Sequence, residues 1–258
     1  MGHSICLSMV LLLFSCHFNP GRENDFEYTH SAITRANPGL KEIALVFTGD
    51  EFADGAEWIT CVLSQQSIKA SFFFTGRFYR NQAFESAIQT LVNDGHYLGA
   101  HSDEHLLYCD WDQRDSLLVT KQAFITDLEN NYREMKRFGI DKQDARYFLP
   151  PYEWYNDAIA AWTSELTLQL INHTHGTLSH ADYTEPDMPN YRSSKEIFDS
   201  ILAYERSHEN GLNGFILLVH VGTSPMRTDK FYPYLDPLIA SLKSKSYSFK
   251  RIDELLEK

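Results

Sequence analysis

Residues 95–105 read Gly95-His96-Tyr97-Leu98-Gly99-Ala100-His101-Ser102-Asp103-Glu104-His105, a short apolar segment that turns abruptly polar. The segment from Tyr97 to Ala100 predicts a strand, and two histidines four residues apart follow it. In parallel α/β proteins, functional groups collect at the carboxyl ends of the strands. His101 and His105 are therefore candidate ligands of a metal ion at the exit of a strand.

The same order of strand, polar turn and helix repeats along the rest of the chain. Apolar segments with the composition of strands lie at residues 43–47, 70–74, 97–100, 147–149, 167–171, 215–219 and 247–249. Segments with one apolar face predict helices at about 54–66, 81–93, 117–138, 156–165, 193–207, 236–243 and 252–256. Such alternation implies parallel strands with right-handed crossovers, in either an open doubly wound sheet or a barrel.

Length and charge restrict the class of protein. The chain has 258 residues, which suits one large domain, and we place this domain at residues 41–258. Hydrophobic residues make up 43% of the sequence, enough for a sizeable core. The formal net charge of −12 gives no electrostatic basis for binding nucleic acid or an anionic membrane surface. We expect a monomer that binds neither.

The N-terminus predicts an export signal. Residues 5–14 are almost wholly apolar but too few to span a bilayer, which is typical of a secretory signal. Leu13-Phe14-Ser15-Cys16 closes this segment and resembles the lipobox of bacterial lipoproteins, in which the cysteine is lipidated. We expect a signal peptide at residues 1–15, a lipid on Cys16 and a tether at residues 16–40. The protein would then lie in the bacterial cell envelope, held to the membrane only by that lipid; plain secretion is the alternative.

Three further strand exits carry residues that are useful for chemistry. Asp50 and Glu51 follow the first predicted strand. Pro150-Pro151-Tyr152 follows the fourth strand, and His220 follows the sixth. Two histidines and a carboxylate form a common triad for a divalent metal and leave positions open for water and substrate. Such a site acidifies bound water and polarises a carbonyl group.

Four motifs occur in a fixed order: Ile68-Lys69-Ala70-Ser71-Phe72-Phe73-Phe74-Thr75-Gly76, His101-Ser102-Asp103-Glu104-His105, Phe148-Leu149-Pro150-Pro151-Tyr152 and Leu218-Val219-His220. In that order they resemble the second strand, the His-Ser/Thr-x-x-His metal motif, the Phe-Arg-Pro-Pro-Tyr stretch and the Leu-x-His motif of a known family. This family is the polysaccharide deacetylases of carbohydrate esterase family four, also called the NodB homology domain. The resemblance spans about Ile43 to Leu256 and implies a distorted (β/α) barrel with about seven parallel strands.

The chain departs from the family pattern at two places. The family's first motif, Thr-Phe-Asp-Asp-Gly, supplies a general base and then a metal ligand, whereas here the acidic pair lies two residues later. The order of residues in the family motif would make Asp50 the base and Glu51 the metal ligand. The shorter and stiffer side chain of Asp50 would make Asp50 the ligand instead, and we favour this second assignment. Asp54 is expected to cap the first helix instead. Leu149 stands where the family has an Arg that orients the base, and Arg146 is expected to face away from the site.

The resemblance also implies a cofactor and a substrate. Asp50, His101 and His105 would hold a divalent metal, with Zn²⁺ as the first expectation and Co²⁺, Ni²⁺ or Mn²⁺ as alternatives. The substrate would be an acetylated glycan. We expect hydrolysis of the N-acetyl groups of amino sugars in a polysaccharide or in peptidoglycan.

The implied mechanism gives a role to each remaining residue. Asp50 or Glu51 would accept a proton from the attacking water. The oxyanion would be stabilised by the metal and by the backbone N–H of Tyr152. His220 would then protonate the leaving amine.

Three residues outside these motifs are candidates to line a sugar cleft, namely Trp154, Tyr155 and Asp182. Two other functions stay open at this point. One is a non-catalytic carbohydrate-binding protein on a degenerate deacetylase scaffold, which the altered first motif and Leu149 favour. The other is a hydrolase of small amides, which would have a closed cleft rather than an open one.

Overall fold

The computed structural model describes residues 26–257, and a curved sheet forms the centre of this region. All seven predicted strands form, some of them shorter than expected. They are β3 (Glu42–Gly49), β4 (Ser71–Phe74), β5 (Tyr97–Ala100), β6 (Tyr147–Phe148), β7 (Gln169–Leu170), β8 (Phe215–His220) and β9 (Ser248–Phe249). β3 and β8 are almost continuously apolar because both faces of each strand are buried.

The strand order makes the sheet a distorted barrel, which confirms the predicted fold class. Two further strands, β1 (Glu27–Thr29) and β2 (Ala32–Arg35), precede these seven. Within residues 26–257 the order is β1-β2-β8-β3-β4-β5-β6-β7, with β9 beside β3. Every pair from β8 to β7 along this path is parallel. A bridge between Ile33 of β2 and Ile171, directly after β7, links β2 to the far end of the path. The carboxyl ends of the parallel strands therefore face one common surface.

Two strands precede the predicted domain, so the expected tether at residues 16–40 is wrong from residue 27 onward. β1 (Glu27–Thr29) pairs with β2 (Ala32–Arg35), and β2 pairs antiparallel with β8. All residues of β2 are buried, including Arg35, whose guanidinium donates to the carbonyl oxygens of Asn213 (2.8 Å) and Gly211 (2.9 Å). Those two acceptors make burial of the cation possible. The predicted signal peptide and Cys16 lie outside the described residues.

Helices cover the outer surface of the sheet and fix where each strand exit points. They are α1 (Ala56–Gln65), α2 (Gly76–Arg80), α3 (Glu85–Asn93), α4 (Lys121–Lys136), α5 (Asp157–Glu165), α6 (Ser194–Ser207), α7 (Leu235–Ser244) and α8 (Ile252–Leu255). α2 was not predicted; it begins at the Thr75 cap, directly after β4. Among residues 26–257 no helix combines the length and the apolar character needed to cross a bilayer.

Asp54 does not cap α1, which corrects one expectation. The residue before α1 is Gly55, and no side chain caps this helix. Asp54 instead accepts a hydrogen bond from the backbone N–H of Thr223 (2.8 Å) and pairs with Lys230 (2.9 Å). The carboxylate thus ties the loop after β3 to the loop after β8, both of which border the candidate site.

Candidate active site

A groove of about 480 Å³ opens at the carboxyl ends of β3, β5 and β8. A larger concavity of about 990 Å³ lies beside α1 and α3, but no histidine lines it. The smaller groove is therefore the candidate active site. It brings together six of the residues predicted from the sequence, namely Asp50, Glu51, His101, His105, Tyr152 and His220.

The two histidines after β5 form one wall of this groove. Their ring centroids lie 5.1 Å apart. His101 Nδ1 lies 2.7 Å from the carbonyl oxygen of Leu149, so Nδ1 carries the hydrogen and Nε2 keeps a free lone pair. Burial, as the largest cause, lowers the pKa of His101 well below its usual value and that of His105 to about 4. Both rings are therefore neutral at pH 7, as metal ligation requires.

A buried carboxylate behind the histidines holds their loop in place. Asp127, on α4, accepts hydrogen bonds from the hydroxyl of Ser102 (2.6 Å) and from the backbone N–H groups of Asp103 (3.1 Å) and Glu104 (3.0 Å). Asn131 Oδ1, one turn later, accepts from the backbone N–H of His101 (2.8 Å). Sequence reasoning missed both residues. A signal was present, since two polar residues four apart interrupt the apolar face of α4.

The acidic side of the site differs from the expected metal triad. Asp50 lies at the exit of β3, with Oδ2 3.9 Å from His105 Nδ1. Arg77, from the unpredicted helix α2, donates from Nε to Asp50 Oδ1 (3.1 Å) and from its terminal nitrogen to Oδ2. The hydroxyl of Thr75 also donates to Oδ1 (2.8 Å). Both carboxylate oxygens are thus occupied by donors, while Glu51 is exposed at the rim.

The ion pair between Arg77 and Asp50 decides how well the residues of the groove fit a metal ion. His101 and His105 fit one, because they are neutral, adjacent and face the groove. Asp50 does not offer a free oxygen in this conformation. Accordingly, no group of three His, Cys, Asp or Glu side chains within residues 26–257 is arranged around a common point where an ion could bind.

Leu149 stands where the family has an Arg, and in the structure a different arginine contacts the carboxylate at the exit of β3. The Leu149 side chain is buried, and its carbonyl oxygen orients His101. Arg146 lines a separate concavity with Tyr147 and Arg251, away from the groove, as expected. Arg77 is instead the cation that contacts the strand-exit carboxylate. Sequence reasoning missed it because the contact depends on how α2 packs after β4.

His220 and Asp182 form a charged pair on the opposite wall. His220 Nδ1 lies 2.6 Å from Asp182 Oδ1, and the backbone N–H of His220 donates to Oδ2 (2.9 Å). Asp182 belongs to a 3₁₀ helix, Ser179–Tyr183, and its side chain is fully buried. Burial by itself lowers the pKa of His220, but the charge of the Asp182 carboxylate and its hydrogen bond raise this pKa by more. The net shift of the pKa is therefore upward. His220 therefore keeps its proton more readily than an ordinary histidine.

Aromatic side chains border the open groove. Trp111 is 53% exposed and meets Tyr152 edge-on at 5.6 Å, and Tyr183, 43% exposed, lies across from them beside His220. Trp154, expected to line the cleft, does not border it: its indole N–H donates to the Asp110 carbonyl oxygen and Arg114 covers its ring. Trp111 takes that position instead. Exposed aromatic rings of this kind suit the faces of sugar rings.

The chain is similar to known proteins in sequence and in fold. The family model for polysaccharide deacetylase matches residues 36–171. The chain is 25% identical over 227 residues to the peptidoglycan-N-acetylmuramic acid deacetylase PdaA of Bacillus subtilis, covering 88% of this chain and 76% of that one. The solved structure of B. subtilis PdaA, titled a family 4 carbohydrate esterase, superposes with a TM-score of 0.67 at 22% identity, over 88% of this chain and 85% of that one.

Two other solved structures share the fold. One is a CE4 family pseudoenzyme from Bacillus anthracis, with a TM-score of 0.68 at 18% identity over 89% of this chain and 70% of that one. The other is an acetyl xylan esterase from Clostridium thermocellum in complex with a cobalt ion, with a TM-score of 0.62 at 20% identity over 83% of this chain and 89% of that one. The family match, the barrel and the strand-exit motifs lead to one conclusion: the chain belongs to the polysaccharide deacetylase family.

Proposed function

We propose that the protein is a deacetylase that hydrolyses the N-acetyl groups of amino sugars in a polysaccharide or in peptidoglycan. The observation that carries this proposal is the His220–Asp182 pair. It keeps a proton donor at the wall of an open groove that two neutral histidines line on the other side. Amide hydrolysis requires such a donor, since an amine leaves readily only after it is protonated.

The open, aromatic-bordered groove favours a polymer over a small amide. A chain of sugars can lie across an open cleft, with Trp111, Tyr152 and Tyr183 against its ring faces. A hydrolase of small amides would be expected to enclose its substrate. The relatives named above that act on peptidoglycan or xylan support the same substrate class.

A divalent metal is part of the proposal. His101 and His105 would hold it, with Asp50 as the third protein donor once its carboxylate leaves Arg77. When bound there, the metal would polarise the acetyl carbonyl. The backbone N–H of Tyr152, which follows the Pro-Pro turn beside His105, is proposed as the second donor to the oxyanion.

Arg77 is expected to weaken metal binding, because it competes with the ion for Asp50. Arg77→Ala should tighten the binding of Zn²⁺ by about tenfold, which corresponds to ~1.4 kcal/mol. Isothermal titration with Zn²⁺ alone measures this directly and needs no substrate. Arg133→Ala, which removes a cation from the exposed side of α4, is the matched control and should leave the affinity unchanged. Equal or weaker Zn²⁺ binding by Arg77→Ala would show that Asp50 is not a ligand.

The experiment for the proposed function is a measurement of released acetate. Purified protein with Zn²⁺ should release acetate from oligomers of N-acetylglucosamine or from peptidoglycan, and less from O-acetylated xylan. His220→Ala serves as the control for contaminating esterases. Binding of these glycans with no acetate from any of them would instead identify a non-catalytic carbohydrate-binding protein, which the Asp50–Arg77 pair favours as the second candidate.

Export to the cell envelope completes the proposal. A signal peptide at residues 1–15 and a lipid on Cys16 would place the enzyme where peptidoglycan is found. Secretion without the lipid is the alternative. Metabolic labelling with a palmitate analogue, compared between the full chain and Cys16→Ala, distinguishes the two.

A further inference from the structure

The groove at the candidate active site continues into the larger concavity beside it. That concavity, of about 990 Å³, is lined by residues of α1 and α3, and we call it the α1–α3 concavity. Glu51, Phe52 and Thr223 line both spaces and form their shared border. Because the same side chains bound both spaces, a polymer that lies in the groove can pass over the shared border into the α1–α3 concavity.

Close packing and polar contacts hold the shared border in place. A Cβ on Gly222 would lie 2.2 Å from the carbonyl group of Phe52, so a glycine is needed where the loop after β8 meets the loop after β3. Lys230 Nζ donates to the carbonyl oxygen and to the hydroxyl of Thr223 (both 2.9 Å) and pairs with Asp54 (2.9 Å). The two loops therefore form one continuous surface between the groove and the α1–α3 concavity.

The lining of the α1–α3 concavity suits a polymer that is rich in hydroxyl groups and carries no negative charge. Of the lining residues that the structure describes, Lys230 is the single cation, and Thr223 and Asp54 already engage it. An anionic polymer would therefore meet no free cation there. Side-chain hydroxyls that can bond to sugar hydroxyls come from both helices, at Thr60, Ser64, Ser86 and Thr90.

The α1–α3 concavity is large enough to hold part of a chain beyond the reacting sugar. It follows α1 from Glu57 to Ser64, a distance of about 10 Å along the helix axis. The groove itself has about half its volume, 480 Å³ against 990 Å³. Sugar units bound beside α1 would take part in binding but not in bond breaking, so they should lower KM without changing kcat.

We infer that the α1–α3 concavity binds the continuation of the glycan chain whose acetyl group lies in the groove. The inference rests on the proposed function and specifies its substrate: a chain long enough to cross the shared border, rather than a single sugar or a dimer. Continuity of the two spaces and the absence of a free cation among the described lining residues both support a glycan as the occupant.

The thiol of Cys61 reports directly on occupation of the α1–α3 concavity. Cys61 is exposed and lines this space, whereas Cys109 is buried and should not react. In His220→Ala, which prevents turnover, a hexamer of N-acetylglucosamine should slow alkylation of Cys61 by a maleimide by about tenfold at about ten times its Kd. The dimer, which the groove alone can hold, should not protect Cys61. Mass spectrometry of the peptide that contains Cys61 measures the alkylation rate.

Filling the α1–α3 concavity with a side chain supplies the second readout. Ser86 is exposed on α3 and lines the concavity, so Ser86→Trp should raise KM for the hexamer by about tenfold and leave kcat and the KM for the dimer unchanged. Ser207→Trp is the matched control, because Ser207 is exposed at the end of α6 and lines neither space. It should change none of these constants.

The outcomes separate this inference from the proposed function. Acetate release combined with unprotected Cys61, or with an unchanged KM for the hexamer in Ser86→Trp, would overturn the inference and leave the proposed function intact. Protection of Cys61 by a peptidoglycan fragment that carries its stem peptide, but not by the hexamer, would identify a peptide as the occupant and would also overturn it. If no glycan releases acetate, the proposed function fails, whereas protection of Cys61 by the hexamer would still support a chain bound across the shared border.

Discussion

His220→Ala is expected to lower acetate release by about 10³-fold, the largest loss among the substitutions considered. The amine leaving group needs a proton as the C–N bond breaks, and His220 is the groove residue whose surroundings keep it protonated. The fold should persist because Asp182 still accepts a hydrogen bond from the backbone N–H of residue 220, but loss of the imidazole leaves the buried carboxylate without its cation and should lower the stability. Circular dichroism and thermal melting check this point. Wild-type rates in His220→Ala would mean that another group protonates the amine.

We expect Asp182 to act by raising the pKa of His220. The pH dependence of the rate in an Asp182 variant tests this role. In the wild type the rate should fall as pH rises through the raised pKa of His220, because the neutral imidazole cannot donate. Asp182→Asn removes the charge that raises this pKa, while burial continues to lower it. The basic limb of the profile should therefore move to lower pH. A purely structural role for Asp182 would reduce the rate at every pH and leave the position of the limb unchanged.

Asp127→Ala is expected to have the largest effect on stability, about 3 kcal/mol in the free energy of unfolding. The substitution leaves the Ser102 hydroxyl and the backbone N–H groups of Asp103 and Glu104 without their acceptor, and the first two of these hydrogen bonds are buried. Chemical denaturation monitored by tryptophan fluorescence measures the loss. Because these three donors belong to the His101–His105 loop, Zn²⁺ affinity should fall as well.

Asp127→Asn provides the matched comparison for this position. The amide retains one acceptor oxygen and nearly the same volume, so it should keep part of the stability that alanine loses. Glu129→Ala, two residues along the same helix but exposed, should change stability by less than about 0.5 kcal/mol. Equal stability of wild type and Asp127→Ala would show that the loop does not depend on this carboxylate.

The strands of the barrel could be predicted because buried parallel strands are continuous apolar segments. β3 and β8 illustrate this, since the apolar residues that marked them in the sequence are the ones buried in the sheet. β2 could not be predicted in the same way. It contains Thr34 and Arg35, and the acceptors that let Arg35 be buried lie far along the chain, at Asn213 and Gly211. Local composition therefore indicated a polar tether where a strand forms.

The histidines of the site were predictable, but the surroundings of its carboxylates were not. His101, His105 and His220 stand directly at strand exits, and the parallel topology alone brings such positions to one surface. The state of Asp50 depends on Arg77, from a helix of five residues with no clear sequence signal. Interactions between elements, rather than patterns within them, decide which groups Asp50 contacts.

The residues that depart from the family's first motif lie at the end of β3 and directly after it. Thr48 and Gly49 complete β3, and Thr48 lies beside His220 in the parallel register. The acidic residues come only after the strand has ended, where Arg77 reaches Asp50. The barrel is thus shared with the family, and in this chain the first acidic residue after β3 contacts Arg77.

The most direct test of a hydrolytic deacetylase is the origin of the oxygen in the acetate it releases. The protein, with Zn²⁺ and an oligomer of N-acetylglucosamine, is incubated in water enriched in the heavy oxygen isotope, and both products are analysed by mass spectrometry. We expect one heavy oxygen in each acetate, one new amine per acetate, and loss of both products in His220→Ala. Intact oligomer and no labelled acetate under these conditions would contradict this expectation.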